Sequence, residues 1–243
     1  MLLASVGSSG TDGELKVWAF NKGFNTANNQ WQVVRRHKAA NSLGCVAFCP
    51  WEHGVIIVAG SVDGSLALLN CTTDDQAPFA AAHDGAVNGL SWQPLRPGEE
   101  SLARLVTAGS DAKVKIWRCK ESALTPECEL SMNGGPPHSN WVRDVDWLKS
   151  GAACGLTSDY IASVGEDKML RIWRRDKNGE SEWNCVFEHS ESAPQWKCSW
   201  APNSAMLAVS CGDNQTKVFQ QTAASGDTEN WEVAFAGSEA AHQ

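Results

Sequence analysis

The chain has little of what most functional classes require. Its longest apolar run, "VIIVAG" (Val55–Gly60), falls far short of the roughly 18 residues that a helix needs to cross a bilayer, so no direct membrane insertion is expected. "MLLASVG" carries neither a basic leader nor an adequate apolar stretch, which argues against a secretory signal and for a cytoplasmic protein. Basic residues number 20 against 28 acidic ones, and a net charge of −8 opposes the clustered basic footprint of a nucleic-acid surface. The nine cysteines form no framework: Cys45 and Cys49 stand four apart without a second Cys/His pair, so they read as reduced thiols in apolar positions rather than metal ligands. "GSSGTDG" lacks the Lys-Ser/Thr of a phosphate loop, no nucleophile elbow precedes a helical pattern, and Glu52–His53 has no third group to orient it. The expectation is a non-enzyme with no cofactor, no metal and no small-molecule substrate. One tyrosine against twelve tryptophans is the remaining imbalance, and it suggests that tryptophan recurs for an architectural reason.

What is present is a repeat. In "GEDKMLRIW", Asp167 stands six residues before Trp173, and the same offset joins Asp12 to Trp18, Asp63 to Leu69, Asp111 to Trp117 and Asp213 to Phe219. The second members lie 51, 48, 56 and 46 residues apart, a fixed offset inside a variable period that marks blade-type repeats. Small-residue strands ("LLASVG", "IIVAGS", "RLVTAGS", "YIASVGE", "MLAVSCG") precede each aspartate, and "LKVW", "LALL", "VKIW", "LRIW" and "TKVF" follow it. The aspartate marks the tight turn between them. Five catalytic carboxylate sites in one chain are implausible, so the role is read as structural. A histidine precedes four units: His37 before Asp63, His83 before Asp111, His138 before Asp167 and His189 before Asp213, at 26, 28, 29 and 24 residues.

Strand counting gives blades of 42–50, 55–62, 65–71 and 78–83; of 86–93, 103–110, 113–119 and 128–133; of 141–148, 159–166, 169–175 and 182–188; and of 194–201, 205–212, 215–220 and 230–236. "LLASVG", "ELKVWAF" and "WQVVRR" supply only three strands of an N-terminal blade. The segments "NKGFNTANNQ", "PLRPGEES", "LKSGAACGLTSD" and "TAASGDTEN" are expected as surface loops. The expectation is an all-β propeller over residues 1–243, with four complete blades plus three strands and an open ring.

These signals resemble the WD-repeat β-propeller pattern, in which the turn aspartate accepts a hydrogen bond from the histidine. "HSNWVRDVDW" (138–147), "WEHGVIIVAGSVDGSLALL" (51–69), "VKIWR" (114–118) and "LAVSCGDNQTKVF" (207–219) are similar to the small WD-repeat subunits of the COPII outer coat, which also serve the nuclear-pore Y complex. That resemblance implies a non-catalytic scaffold whose open propeller is completed by a β-blade from an α-solenoid partner, peripheral at ER exit sites, COPII vesicles and the nuclear envelope. Against that family the chain looks N-terminally shortened by roughly one and a quarter blades. Trp200, Val209, Phe219 and Trp231 are candidates for the face that meets the partner, or alternatively pack on the preceding blade. Trp141, Arg143 and Asp144 are candidates for a recognition rim, or alternatively belong to the blade's own loop network. The sister nuclear-pore propeller and a closed adaptor that binds short peptide motifs are the alternatives.

Overall fold

Each aspartate-centred unit folds as an antiparallel hairpin, because period-two alternation on both sides of a tight turn leaves one register that buries the apolar set. The computed structural model describes residues 1–9, 12–21, 30–73, 76–95, 103–120, 123–149, 158–175, 182–202, 206–225 and 228–238. Strands β1 (Leu2–Ser9), β2 (Asp12–Asn21) and β3 (Gln30–Ala39) form a three-stranded sheet. Four four-stranded sheets follow in chain order. They are β4 (Leu43–Phe48), β5 (Ile56–Ser61), β6 (Ser65–Asn70) and β7 (Gln76–Ala81); then β8 (Val87–Trp92), β9 (Ala103–Gly109), β10 (Val114–Lys120) and β11 (Ala123–Glu129). The last two are β12 (Val142–Trp147), β13 (Asp159–Gly165), β14 (Met169–Arg175) and β15 (Asn184–Ser190), and β16 (Gln195–Trp200), β17 (Met206–Cys211), β18 (Gln215–Ser225) and β19 (Thr228–Ser238).

Successive sheets pack through their first strands: β1 on β4, β4 on β8, β8 on β12 and β12 on β16. Among the described residues no comparable packing joins the first sheet to the last, so the arrangement is an open propeller. Apolar clusters fill each inter-sheet space. Leu15 and Val17 meet Ile57, Ala59 and Leu69, and Val58 and Leu68 meet Leu105 and Trp117. Val106 and Ile116 meet Trp147 and Trp173, and Tyr160 and Ile172 meet Trp200 and Phe219. Burial of apolar surface between sheets drives this stacking.

Outer strands are where the sequence-based bounds move. The strand expected at 128–133 is β11, Ala123–Glu129, which contains Pro126. On an edge strand a proline loses no ladder bond, and here it pairs with Trp117 at a bulge. Leu130 instead adds one backbone bond to the Val114 carbonyl, at 2.9 Å, and buries its side chain. Most of "TAASGDTEN" is strand rather than loop, because β18 and β19 run on as a ribbon to the Ser225–Thr228 pair. Most of the other three expected loops lies outside the described residues.

Candidate functional site

The turn aspartates do one job in all four complete sheets. The backbone N–H two residues on donates to the carboxylate: Ser65 to Asp63 at 2.9 Å, Lys113 to Asp111 at 3.1 Å, Met169 to Asp167 at 3.2 Å and Gln215 to Asp213 at 3.2 Å. The residue between them is left-handed in each turn: Gly64, Ala112, Lys168 and Asn214, with φ of 87°, 65°, 66° and 61°. A carboxylate at this position replaces the backbone acceptor of an ordinary turn and offsets part of the left-handed cost. Asp12 differs, since it opens β2 in register with Ser9.

In two sheets the aspartate also ends a buried relay. The indole N–H of Trp117 donates to Thr107 Oγ1 at 3.0 Å, Thr107 Oγ1 lies 2.8 Å from His83 Nε2, and His83 Nδ1 lies 2.8 Å from Asp111. Trp173, Ser163, His138 and Asp167 repeat the chain at 3.0, 2.8 and 2.9 Å. An ionised carboxylate only accepts, so each Nδ1 carries the proton and each Nε2 accepts from the hydroxyl. Burial alone would raise the carboxyls of Asp111 and Asp167. The hydrogen bonds from the histidines, with those from backbone N–H groups, outweigh it and hold both at about 2. Burial pushes His138 down, against the pull of Asp167. Thr107 and Ser163 were missing from the sequence reading. Their signal is a hydroxyl four residues before the aspartate and ten before the tryptophan.

The histidine assignments for the other two sheets require correction. The relay histidines stand four residues before the first inner-strand residue, Val87 or Val142. Ala39 and Glu191 hold that place before Leu43 and Gln195. His37 lies in β3 opposite Leu15, and His189 in β15 opposite Leu170, where it contacts Glu191 at 2.8 Å. Asp63 instead takes a bond from Asn41 Nδ2 at 2.6 Å. The spacing from His to Asp misleads because connection lengths vary, whereas the inner strand does not move. In these sheets the hydroxyl and indole positions become Ala59 with Leu69, and Val209 with Phe219, all buried except the turn itself. The first sheet keeps an indole–hydroxyl pair, Trp18 to Ser5 at 2.9 Å.

A second buried arrangement ties sheets together. Asp144 accepts from the backbone N–H of Cys198 at 3.1 Å, and Asp146 accepts from that of Trp200 at 2.8 Å, so two carboxylates of β12 satisfy the open edge of β16. Asp146 also accepts from Ser91 Oγ of β8 at 2.8 Å. Lys197 and Lys149 balance the charge at 3.2 and 2.9 Å. Desolvation raises Asp144, with Lys197 and the Cys198 N–H opposing. Asp144 is therefore an inter-sheet clasp, not a rim residue. The bulge between Val142 and Asp144 is the cause, because it turns Asp144 sideways and leaves Arg143 as the extra residue at the strand entry.

The four partner-facing candidates also move. Trp200, Val209, Phe219 and Trp231 are buried with Leu148, Tyr160, Val164 and Ile172 of the preceding sheet, and the Trp200 and Trp231 rings meet edge-on at 5.4 Å. Strand alternation puts the opposite row, Ser199, Ala208, Val218 and Phe235, on the outward face, where Phe235 is 60% exposed. The outward face of the first sheet carries Leu3, Trp18 and Val33 beside the Phe20–Trp31 pair, whose rings meet at 5.3 Å with planes inclined by 57°, and Leu3 is 50% and Trp31 41% exposed. Both ends of the open array thus present apolar side chains without a covering sheet among the described residues.

Comparison with known proteins adds the following. The WD domain, G-beta repeat model matches residues 78–118, 135–174 and 183–220. The protein transport protein sec13 of Aspergillus fumigatus is 31% identical over 88% of this chain and 72% of its own length. The protein of the same name from Aspergillus clavatus is 31% identical over 88% of the chain and 75% of its own. The SEC13 homolog of Drosophila melanogaster is 31% identical over 74% of the chain and 52% of its own.

Proposed function

The chain belongs to the Sec13 family of WD-repeat proteins, and from that premise we propose that it is a non-catalytic scaffold subunit in protein transport. Its finer role is as a structural part of the COPII coat in ER-to-Golgi transport and of the nuclear-pore outer scaffold. There residues 1–243 act as one propeller, completed by a β-blade from an α-solenoid subunit. The protein is peripheral to ER exit sites, coat vesicles and the nuclear envelope, and touches membranes only through the coat.

The observation that supports this reading best is the outward face of the last sheet. Phe235, Val218 and Ala208 form an apolar row on a sheet whose other face is already buried, which is the surface an added blade would cover. The relatives' names supply the transport context, and the all-β scaffold with its structural aspartates supplies the mechanical one. Such a subunit would hold the geometry of a lattice by face packing.

The test is purification of the native protein from its own cells after photocrosslinking from position 235. Crosslinks to a large solenoid subunit are the expected result. Crosslinks only to a short-motif client, or recovery of a self-contained monomer, would instead favour a peptide-binding adaptor.

A further inference from the structure

The entry to the inner strands differs between sheets in a way that blade architecture does not require. At equivalent register positions around the bulge, the β4–β7 sheet has Ser42, Gly44 and Val62, and the β8–β11 sheet has Ala86, Asn88 and Ser110. The β12–β15 sheet has Trp141, Arg143 and Glu166. Two sheets therefore form with small or neutral side chains where the third carries an indole and an ion pair.

The Arg143 guanidinium carbon lies 5.1 Å from the Trp141 ring centroid and 4.7 Å from that of Trp196, which enters from β16. Gly212 leaves room for this, since a Cβ there would lie 2.9 Å from Trp196 Nε1. Arg143 Nε donates to Glu166 at 2.7 Å and Nη2 donates to the same oxygen. Among the described residues no acceptor is bonded to Nη1. Despite the stacking, Trp141 is 47% and Trp196 43% exposed. A clamp serving stability alone would bury those rings, because exposed indole surface forgoes the burial that makes tryptophan stabilising.

We propose that this rim, Trp141, Arg143 and Trp196 with Glu166 as the orienting partner, is a binding site for a short peptide segment. That segment carries a carboxylate beside a large apolar side chain. The carboxylate accepts from the open Nη1 edge of a guanidinium that the indoles and Glu166 hold flat, and the apolar side chain covers the exposed indole faces. Charge favours an acidic ligand: Lys168 is exposed in the adjoining turn, while the carboxylates of Glu166 and Asp144 are already engaged by Arg143 and Lys197. This site is separate from the outward sheet faces and does not rest on the scaffold reading.

The experiment selects a phage-displayed library of random dodecapeptides on the native protein, together with whatever subunit copurifies. The best synthetic peptide and its Asp/Glu to Asn/Gln version are then titrated against the parent, Trp141→Ala and Arg143→Asn. These substitutions install what the neighbouring sheet already holds at the same positions, so melting temperature and subunit retention are expected to be unchanged. The expected result is enrichment of peptides pairing an acidic with an aromatic or leucine residue. Affinity should fall at least roughly tenfold for each variant and for the neutralised peptide. Arg143→Lys, which keeps the charge but not the stacked plane, should also bind more weakly. The proposal is overturned if no peptide is enriched over the Trp141→Ala protein, if enriched peptides bind both variants like the parent, or if neutralising the carboxylate changes nothing.

Discussion

The β12–β15 and β16–β19 sheets share a bulge, an aspartate turn and a strand order, yet they are held together differently. In the first, Trp173, Ser163, His138 and Asp167 form a buried chain of hydrogen bonds. In the second, Phe219 and Val209 take the indole and hydroxyl places, Glu191 takes the histidine place, and Asp213 is left with its turn bond. The β4–β7 sheet changes the same members, to Leu69, Ala59 and Ala39. Among the four complete sheets the relay is thus kept or replaced as a set. A lone buried hydroxyl or imidazole costs free energy that only the complete chain recovers, so intermediate versions are worse than either end point. The turn bond is the constant part, and the relay is an addition to it.

Four measurements would break or sharpen that comparison. The largest effect is expected within the last sheet, between its faces. Trp200→Ala, which empties a buried position against the preceding sheet, should cost about 3–5 kcal/mol in urea unfolding. Phe235→Ala, on the outward face, should change stability by less than about 0.5 kcal/mol. Equal effects would mean that the inner and outer faces are misassigned.

Next comes the aspartate pair. Asp167→Ala should destabilise by about 1–3 kcal/mol, through the stranded His138 donor, and Asp213→Ala by less than about 1 kcal/mol. A matching loss in both would show that the turn bond, not the relay, carries the energy. Acid should then separate the relay sheets further. Asp111 and Asp167 are lowered from 3.8 to about 2, so their contribution is complete above the ordinary value and is lost as pH falls from about 4 to about 2. For each aspartate this corresponds to roughly 2 kcal/mol. The stability gap between the parent and Asp167→Ala should shrink across that window, and a gap independent of pH would refute the relay's electrostatics. The smallest effect is expected from Ala112→Gly. Relief of a left-handed alanine offsets the entropy lost to glycine, giving a gain of about 0.5 kcal/mol or less on melting.

The hairpins were legible because the forces that set them are local. An aspartate six residues before a large apolar residue fixes a turn, a left-handed position and the start of the next strand within one short segment. The histidines at 83 and 138 were legible for the same reason that those at 37 and 189 misled. Counting to the aspartate crosses a connection of variable length, whereas counting to the inner strand does not. Strand β11 lies earlier than the expected 128–133, because its residues are mostly exposed and carry little of the apolar alternation that marks a strand.

The amino-acid sequence by itself determined the repeat, the strand inventory, the turn chemistry and the resemblance to a transport-coat family, all of which rest on contacts within one hairpin or on wording that relatives share. Only the tertiary structure decided which row of the last sheet is buried, that Asp144 and Asp146 bind the next sheet's backbone, and that Arg143 lies between Trp141 and Trp196. Those contacts join residues about fifty apart through a bulge that rotates one side chain relative to the next. Alternation along a strand says that neighbours point to opposite faces, but which face meets another sheet is set by packing between sheets.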